Sequence, residues 1–116
     1  MRVLVVDDSD DVRAAVRGLL MSAGHEPYLA HDVESALEVC DVIKPDFVFI
    51  DIRLPGEDGY TLADTLRKNY GLERVQMWAL SGYADDEERR RKSGIVGHIL
   101  KPLTFDHVRT LIGLAN

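Results

Sequence analysis

The sequence has little of what exported, membrane-spanning or nucleic-acid-binding chains require. Its 116 residues hold a single cysteine, Cys40, so an internal disulfide is excluded, and its place on a helical apolar stripe is typical of a buried thiol. No apolar run approaches the roughly 18 residues that cross a bilayer, and no signal peptide opens the chain. Lys and Arg number 14 against 20 Asp and Glu, and this net charge of −6 disfavours direct binding to nucleic acid. We therefore expect one soluble domain over residues 1–116, with no membrane partner and a cytoplasmic location by default.

Short apolar runs alternate with amphipathic patterns along the whole chain. Residues 3–6, which are valine and leucine alone, are followed by similar short apolar runs at 47–50, 77–80 and, more weakly, 96–100, and such runs are typical of strands buried on both faces. A fifth run at 26–31 carries a proline and alternates, which indicates an edge strand. The sequence therefore predicts an α/β fold, a single doubly wound (βα)5 domain whose five-stranded parallel sheet has helices on both faces.

Four helices are predicted by apolar spacing and by their end signals. The first has Ser9 or Asp10 as its N-cap and stops at Gly24; the second is capped by Asp32, and the third ends at Gly71. The apolar positions are Val12, Ala15, Val16, Leu19, Leu20 and Ala23 in the first helix, Val33, Ala36, Leu37, Cys40 and Ile43 in the second, Leu62, Ala63, Leu66 and Tyr70 in the third, and Phe105, Val108, Leu111, Ile112 and Ala115 in the last.

The segment ADDEERRRKSG at 84–94 has helical charge spacing but no large apolar side chain. Four acid–base pairs at i, i+4 would contribute about 1 to 2 kcal/mol together, yet an isolated helix of under roughly 12 residues is marginal in water. We expect a mobile or partly frayed helix here, and the alternative is a rigid, solvated surface helix. The predicted pairs are Asp85–Arg89, Asp86–Arg90, Glu87–Arg91 and Glu88–Lys92.

Polar side chains follow four of the apolar runs. Asp7 and Asp8 come after the first, Asp51 after the second, Ser81 after the third and Lys101 after the last. The carboxyl ends of parallel strands share one edge of the sheet, and carboxylates 4 Å apart repel by on the order of 4 kcal/mol per pair. Mg²⁺ accepts such an all-oxygen cluster, and an aspartate can attack phosphorus to give an acyl phosphate. Each residue alone is commoner as a cap, turn or surface residue, so it is their joint occurrence that predicts a phosphoryl site.

Four motifs give the chain its resemblance to a known family. VLVVDDSD at 3–10, FVFIDIRLPGEDGY at 47–60, ALSGYA at 79–84 and ILKP at 99–102 make it similar to the receiver domain of two-component response regulators over its whole length. The resemblance implies the flavodoxin-like strand order 2-1-3-4-5. It also implies that the protein is a phosphorylated signalling switch rather than an enzyme acting on other molecules. The implied donor is a histidine kinase or histidine phosphotransfer protein, and the implied output is a downstream protein or a fused kinase or output domain.

The resemblance also implies a role for each site residue. Asp51 would accept the phosphoryl group, Ser81 would follow it, Lys101 would pair with it, and the Lys101–Pro102 peptide would be cis. His98 stands where the family usually has a tyrosine or phenylalanine that swings inward on phosphorylation, and it adds a titratable group to the switch; the alternative is a half-exposed histidine on an edge strand. The implied Mg²⁺ ligands are Asp7, Asp8, Asp51 and the main-chain carbonyl of Arg53, and the residues expected to tune the lifetime of the aspartyl phosphate are Arg53 and Tyr83.

Other functions are compatible with parts of the pattern. A phosphatase of the haloacid dehalogenase type also uses Mg²⁺ and an aspartate nucleophile, but it needs a second aspartate where this chain has Arg53. A flavin binder is disfavoured because no phosphate loop rich in Ser, Thr and Gly follows the first strand. A receiver-like interaction module that works without phosphorylation stays open. The choice between a stand-alone protein and part of a hybrid kinase or longer regulator also stays open.

Overall fold

The structure is a computed structural model that describes residues 1–114, and it consists of one parallel sheet between two layers of helices. None of the helices within 1–114 is long and apolar enough to cross a membrane. The elements in chain order are β1 (Arg2–Val6), α1 (Asp10–Ser22), β2 (Glu26–Ala30), α2 (Val33–Val42), β3 (Phe47–Asp51), β4 (Arg53–Leu54), β5 (Glu57–Asp58), α3 (Gly59–Asn69), β6 (Gln76–Ser81), α4 (Glu87–Ser93), β7 (Gly97–Leu100) and α5 (Phe105–Leu111).

The order of strands across the main sheet is β2-β1-β3-β6-β7, and every pair in it is parallel. This is the predicted doubly wound fold with the predicted order 2-1-3-4-5 for its five main strands. The run with Pro27 forms β2 at one edge, as expected. The short antiparallel ladder of β4 and β5 was not predicted, because two-residue strands leave no periodic signal in a sequence.

Two separate apolar cores lie on the two faces of the sheet. Residues of β1 are buried on both sides: Leu4 and Val6 pack in the core beneath α2 and α3, whereas Val3 and Val5 pack in the core beneath α1 and α5. Alternate side chains of a strand point to opposite faces, so a run with no polar member requires cover on both. The helix α4 supplies no apolar side chain to either core.

The helix ends match their sequence signals. Ser9 caps α1 and Asp32 caps α2, each accepting a main-chain N–H three residues on, and Gly24 and Gly71 follow α1 and α3 with φ of 83° and 74°. Cys40 is fully buried, and burial raises the pKa of its thiol to about 11. The predicted apolar position Ala115 lies outside the described residues.

The charged segment 84–94 differs from its prediction in extent and in pairing. Its helix covers only Glu87–Ser93, with Asp86 as the N-cap, and the predicted pairs Asp85–Arg89 and Asp86–Arg90 are wrong. Asp86 faces the first N–H groups of its own helix, and Asp85 precedes the helix, so neither has helical i, i+4 geometry. Glu87–Arg91 at 3.5 Å and Glu88–Lys92 at 2.9 Å form as predicted, while Arg89 pairs with Asp58 and Arg90 with Asp85. The mobility of the segment stays a prediction.

Candidate functional site

The residues predicted at the strand ends meet at the carboxyl edge of the sheet. Asp7, Asp51 and Ser81 are buried, and Asp8 is exposed. Asp7, Asp8 and Asp51 each place one carboxylate oxygen within 4.8 Å of the other two. The Lys101 Nζ lies 2.7 Å from Asp7 Oδ2 and 3.3 Å from Asp51 Oδ2. The parallel register brings these side chains together as the spacing predicted.

One local device orients three of these side chains. The main-chain N–H of Ser9 donates to Asp7 Oδ1 at 2.9 Å, and that of Arg53 donates to Asp51 Oδ1 at 3.1 Å. The N–H of Tyr83 donates to the Ser81 hydroxyl oxygen at 3.0 Å. In each case the strand ends in a turn that the side chain itself closes by binding the N–H two residues on. The turns fix the side-chain rotamers before any ligand is present.

Gly59 permits the close approach of α3 to the end of β3. Its N–H donates to the carbonyl of Ile52 at 2.8 Å, and a Cβ at this position would lie 2.3 Å from the carbonyl oxygen of Asp51. Any other residue would therefore push the start of α3 away from the end of β3. The glycine holds the loop after Asp51 in a tight path, and Pro55 and Gly56 complete that loop.

The charges of the site leave an excess of negative charge. Burial raises the pKa of Asp51, and Asp7 raises it further, while the Arg53 N–H and Lys101 act against the shift. Burial would lower the pKa of Lys101, but Asp7 and Asp51 outweigh it and the pKa is raised. The single ammonium group of Lys101 therefore pairs with two carboxylates, Asp7 and Asp51, that repel each other.

The buried oxygen Asp7 Oδ2 marks where a further cation fits. Among residues 1–114 its one polar contact is the ion pair with the Lys101 Nζ at 2.7 Å, and Lys101 also pairs with Asp51. A buried carboxylate oxygen that shares one ammonium, beside two more carboxylates of which one is exposed, matches what Mg²⁺ requires: a few oxygen ligands and room for water. The donor set therefore fits Mg²⁺. The role of the Arg53 carbonyl as a further ligand stays a prediction.

Arg53 and Tyr83, the two residues expected to tune the lifetime of the aspartyl phosphate, contact each other beside the site. The guanidinium of Arg53 stacks on the ring of Tyr83, with Cζ 3.6 Å from the ring centroid. Both residues line, together with Ser81, a cavity of about 410 Å³. The stack joins the loop after β3 to the loop after β6, which are the two loops that flank Asp51.

His98 lies on the edge strand β7, and Pro102 follows that strand by two residues. His98 is half-buried on the edge strand β7, opposite Ala79 of β6, and its Nε2 is buried without a hydrogen-bond partner in the described part of the chain. The Lys101–Pro102 peptide is cis. The position of His98 is compatible with a residue that changes rotamer on phosphorylation and equally with a half-exposed histidine on an edge strand.

Sequence reasoning missed Arg13. Its Nη1 donates to the main-chain carbonyl of Asp7 at 2.6 Å, and its Nη2 forms an ion pair with Asp10. Arg13 thus ties the first turn of α1 to the loop that carries the acidic pair. An arginine four residues after an N-cap serine could have been recognised as a side chain able to reach back over the cap, but surface arginines at that spacing are common.

The order of the strands and the acidic cluster at their carboxyl ends are shared with a known class of signalling domains. The chain belongs to the response regulator receiver domain family, whose profile matches residues 3–113. The transcriptional regulatory protein YxdJ of Bacillus subtilis is 31% identical over 107 residues, which are 92% of this chain and 46% of that protein. The first curated relatives are longer than this chain, which spans 46%, 24% and 12% of their lengths.

Two solved structures illustrate the likeness in three dimensions. The chemotaxis protein CheY4 of Vibrio cholerae superimposes with a TM-score of 0.89 at 25% identity and covers 98% of both chains. The response regulator TrrA of Thermotoga maritima, solved in complex with Mg²⁺-BeF, gives a TM-score of 0.79 at 28% identity, covering 94% of this chain and 93% of that one. The resemblance inferred from the four motifs is confirmed.

Proposed function

We propose that this receiver domain accepts a phosphoryl group on Asp51 from a histidine kinase or histidine phosphotransfer protein. The observation that carries the proposal is the oxygen cluster of Asp7, Asp8 and Asp51 within 4.8 Å, with Lys101 3.3 Å from the Asp51 carboxylate. An acid pair beside an aspartate nucleophile and an ammonium is what phosphoryl transfer to a carboxylate needs. The relative TrrA, solved with Mg²⁺-BeF, is consistent with it.

In the proposed transfer a carboxylate oxygen of Asp51 attacks the phosphorus of a phosphohistidine. The new P–O bond forms as the P–N bond breaks, and the bonding pair leaves with the imidazole nitrogen, which takes up a proton from solvent. Bound Mg²⁺ would neutralise the charge that develops on the phosphoryl oxygens, held by Asp7, Asp8 and Asp51.

The residues around Asp51 would each act on one part of the transferred group. Lys101 would pair with one phosphoryl oxygen. Ser81 would donate to another, because its oxygen already accepts the Tyr83 N–H and its hydroxyl proton is free to bond elsewhere. The same groups would catalyse only the chain's own phosphorylation and dephosphorylation. Arg53, which stands in the place of the second aspartate of a haloacid dehalogenase, supplies no general acid or base.

The output of the proposed switch would be the face formed by α4, β7 and α5. Ser81 would move toward the phosphoryl group, and His98 would change rotamer beside it. The altered face would then control a downstream protein or a fused kinase or output domain.

The proposal is tested by Mg²⁺-dependent labelling with acetyl phosphate, followed by intact mass. We expect wild type and Asp41→Asn, a matched change of an exposed aspartate on α2, to gain one phosphoryl group, and Asp51→Asn to gain none. Label that survives in Asp51→Asn would sink the assignment of Asp51. No label in wild type, from acetyl phosphate or from a phosphorylated histidine phosphotransfer protein, would favour the interaction module that works without phosphorylation.

A further inference from the structure

The helix α4 is attached to the domain without an apolar stripe. Of its seven residues, only Ser93 is buried. Helices of globular proteins owe most of their stability to a packed apolar face, and one of this length is unstable alone. Its place in the fold therefore depends on polar contacts, and these go to α3 at both ends of α4.

At the C-terminal end of α4 the partner is Arg67 of α3. Its Nε donates to the carbonyl of Ser93 at 3.4 Å. A Cβ added to Gly94 would lie 2.5 Å from the same Nε, so the arginine side chain packs directly against the glycine. Gly94 has φ of 87° and ends the helix. A guanidinium thus covers the carbonyl end of the helix, where a positive charge is favourable.

At the N-terminal end the contact is made by Arg89 of α4. Its Nη2 pairs with Asp58 Oδ2, and its Cζ lies 4.7 Å from the centroid of the buried Tyr60 ring. The other oxygen of Asp58 accepts the N–H of Thr61 at 2.8 Å and caps α3. Burial alone would raise the pKa of Asp58, but the hydrogen bonds from Thr61 and Arg89 outweigh it and hold the pKa below its usual value. One carboxylate therefore caps α3 and binds α4.

The same carboxylate lies one step from the phosphoacceptor. In the β4–β5 ladder Asp58 pairs with Arg53, and the Arg53 N–H donates to Asp51 Oδ1 at 3.1 Å. A continuous path of contacts thus runs from Asp51 through Arg53 and Asp58 to Arg89. It lies on the α3 side of the site and does not pass through Ser81 or His98.

We propose that Arg89 is the positioning residue of α4: held by Asp58 and Tyr60, it fixes the helix to the start of α3 and makes it follow the β4–β5 segment beside Asp51. The anchoring of α4 is independent of the proposed function, whereas the coupling to Asp51 rests on the proposed function. Anchoring and coupling are distinct properties, and each has its own measurement.

The anchoring is tested by amide hydrogen exchange of residues 87–93, without Mg²⁺ or phosphodonor. We expect Arg89→Gln to lower protection roughly 5- to 30-fold, the combined effect of a half-exposed ion pair and a cation–π contact. Arg91→Gln, which removes the same charge from an exposed i, i+4 pair on the same helix, should change it less than about threefold. Arg89→Lys keeps the charge opposite Asp58 and should recover part of the loss. Equal protection in the two Gln variants, or no protection of these residues in wild type, would overturn the anchor.

The partner is identified by Asp58→Asn, which retains the cap of α3 and removes the charge. If Asp58 and Arg89 act through each other, Asp58→Asn combined with Arg89→Gln should lower protection less than the product of the two single effects. Effects that multiply in full would show that Arg89 acts independently of Asp58, against the proposal. Unchanged urea midpoints in all variants would separate loss of the anchor from loss of the fold.

The coupling is tested with beryllofluoride and Mg²⁺, a mimic of the phosphoryl group. Wild type and Arg91→Gln should show altered exchange both around Asp51 and in residues 87–93. Arg89→Gln should respond around Asp51 but not in 87–93. A full response of 87–93 in Arg89→Gln would refute the coupling. No change around Asp51 in wild type would overturn the proposed function and the coupling with it, while the anchor is decided by the first measurement.

Discussion

Replacing Asp51 should make this domain more stable when Mg²⁺ is absent. Asp51 is buried at the point where Asp7 and Asp8 also carry charge, and its raised pKa shows that the fold disfavours its ionised form. The substitution Asp51→Asn keeps the shape and an oxygen that can accept the Arg53 N–H, and it removes the charge. We expect a gain of about 1 to 2 kcal/mol in the free energy of unfolding at neutral pH.

The magnitude follows from three pair interactions and the cost of burial. One oxygen of Asp7 lies within 4.8 Å of one oxygen of Asp51, so at an effective dielectric of about 20 Asp7 repels Asp51 by at least about 3.5 kcal/mol. Asp8 repels it by less, because Asp8 is exposed and screened. Lys101 at 3.3 Å attracts it by about 5 kcal/mol. These terms nearly cancel, so the cost of burying the carboxylate decides the sign, and that cost disappears in Asp51→Asn.

The assay is urea and thermal unfolding of both proteins, with and without Mg²⁺. Without the ion, the expected gain corresponds to a rise of about 4 to 8 °C in Tm. With the ion at 100 times its Kd, wild type gains about 2.7 kcal/mol, and the variant, which lacks one carboxylate of the cluster, gains less, so the order should reverse. A variant less stable than wild type without Mg²⁺ would mean that the attraction of Lys101 exceeds repulsion and burial together, which refutes the reasoning.

The same difference should depend on pH in a defined direction. Because the pKa of Asp51 is raised in the folded protein, the native state takes up a proton before the unfolded state does as the pH falls. The free energy of unfolding of wild type therefore approaches that of Asp51→Asn as the pH drops through that raised pKa. The two free energies should be equal below the pKa of an unfolded aspartate, about 3.9. A difference that stays constant from pH 7 down to that value would contradict an electrostatic origin.

Three further outcomes are expected. Arg53→Ala and Tyr83→Ala should each speed loss of the aspartyl phosphate by about 2- to 30-fold, because each removes one partner of the stack beside the proposed phosphoryl site. Decay at the wild-type rate, measured with labelled protein, would show that the stack does not control the lifetime. Gly97→Ala should lower the free energy of unfolding by about 1 to 3 kcal/mol, because its Cβ would lie 2.2 Å from the ring of Trp78. Its control is Gly18→Ala in the helix α1, where a Cβ would meet no atom within 4 Å. This variant should raise the free energy of unfolding by up to about 1 kcal/mol in the same urea assay. Lys101→Met should cost about 3 kcal/mol without Mg²⁺, since it leaves Asp7 and Asp51 without their cation; an unchanged urea midpoint would be the contrary result.

The sequence predicted most of the fold because its signals are local and repeated. Runs such as 47–50 have no polar residue, so only a strand covered on both faces accommodates them, and the caps at Ser9 and Asp32 define where helices begin. The site followed for the same reason, since Asp51, Ser81 and Lys101 each occur where a buried run ends and parallel strands must end together.

The features that were missed or wrong depend on contacts between distant residues. The pairing of Arg89 with Asp58 joins positions 31 apart, and no spacing rule connects them. The predicted pair Asp86–Arg90 failed because one carboxylate cannot cap a helix and also lie on its side. Directly after the β4–β5 ladder, Gly59 lets α3 approach the end of β3, and the sequence alone does not show this close approach.

The absence of α4 from both apolar cores has a consequence for how the chain folds. A transition state for folding is held together largely by apolar contacts, and the buried apolar side chains of the two cores come mainly from the five main strands and the other four helices. Substitutions on α4 should then leave the folding rate unchanged, and any that lower the global free energy of unfolding should do so through the unfolding rate, with φ-values near zero. The sequence of this helix is thus free to diverge between relatives without slowing the assembly of the domain, and recognition of different partners could evolve there at no cost to folding.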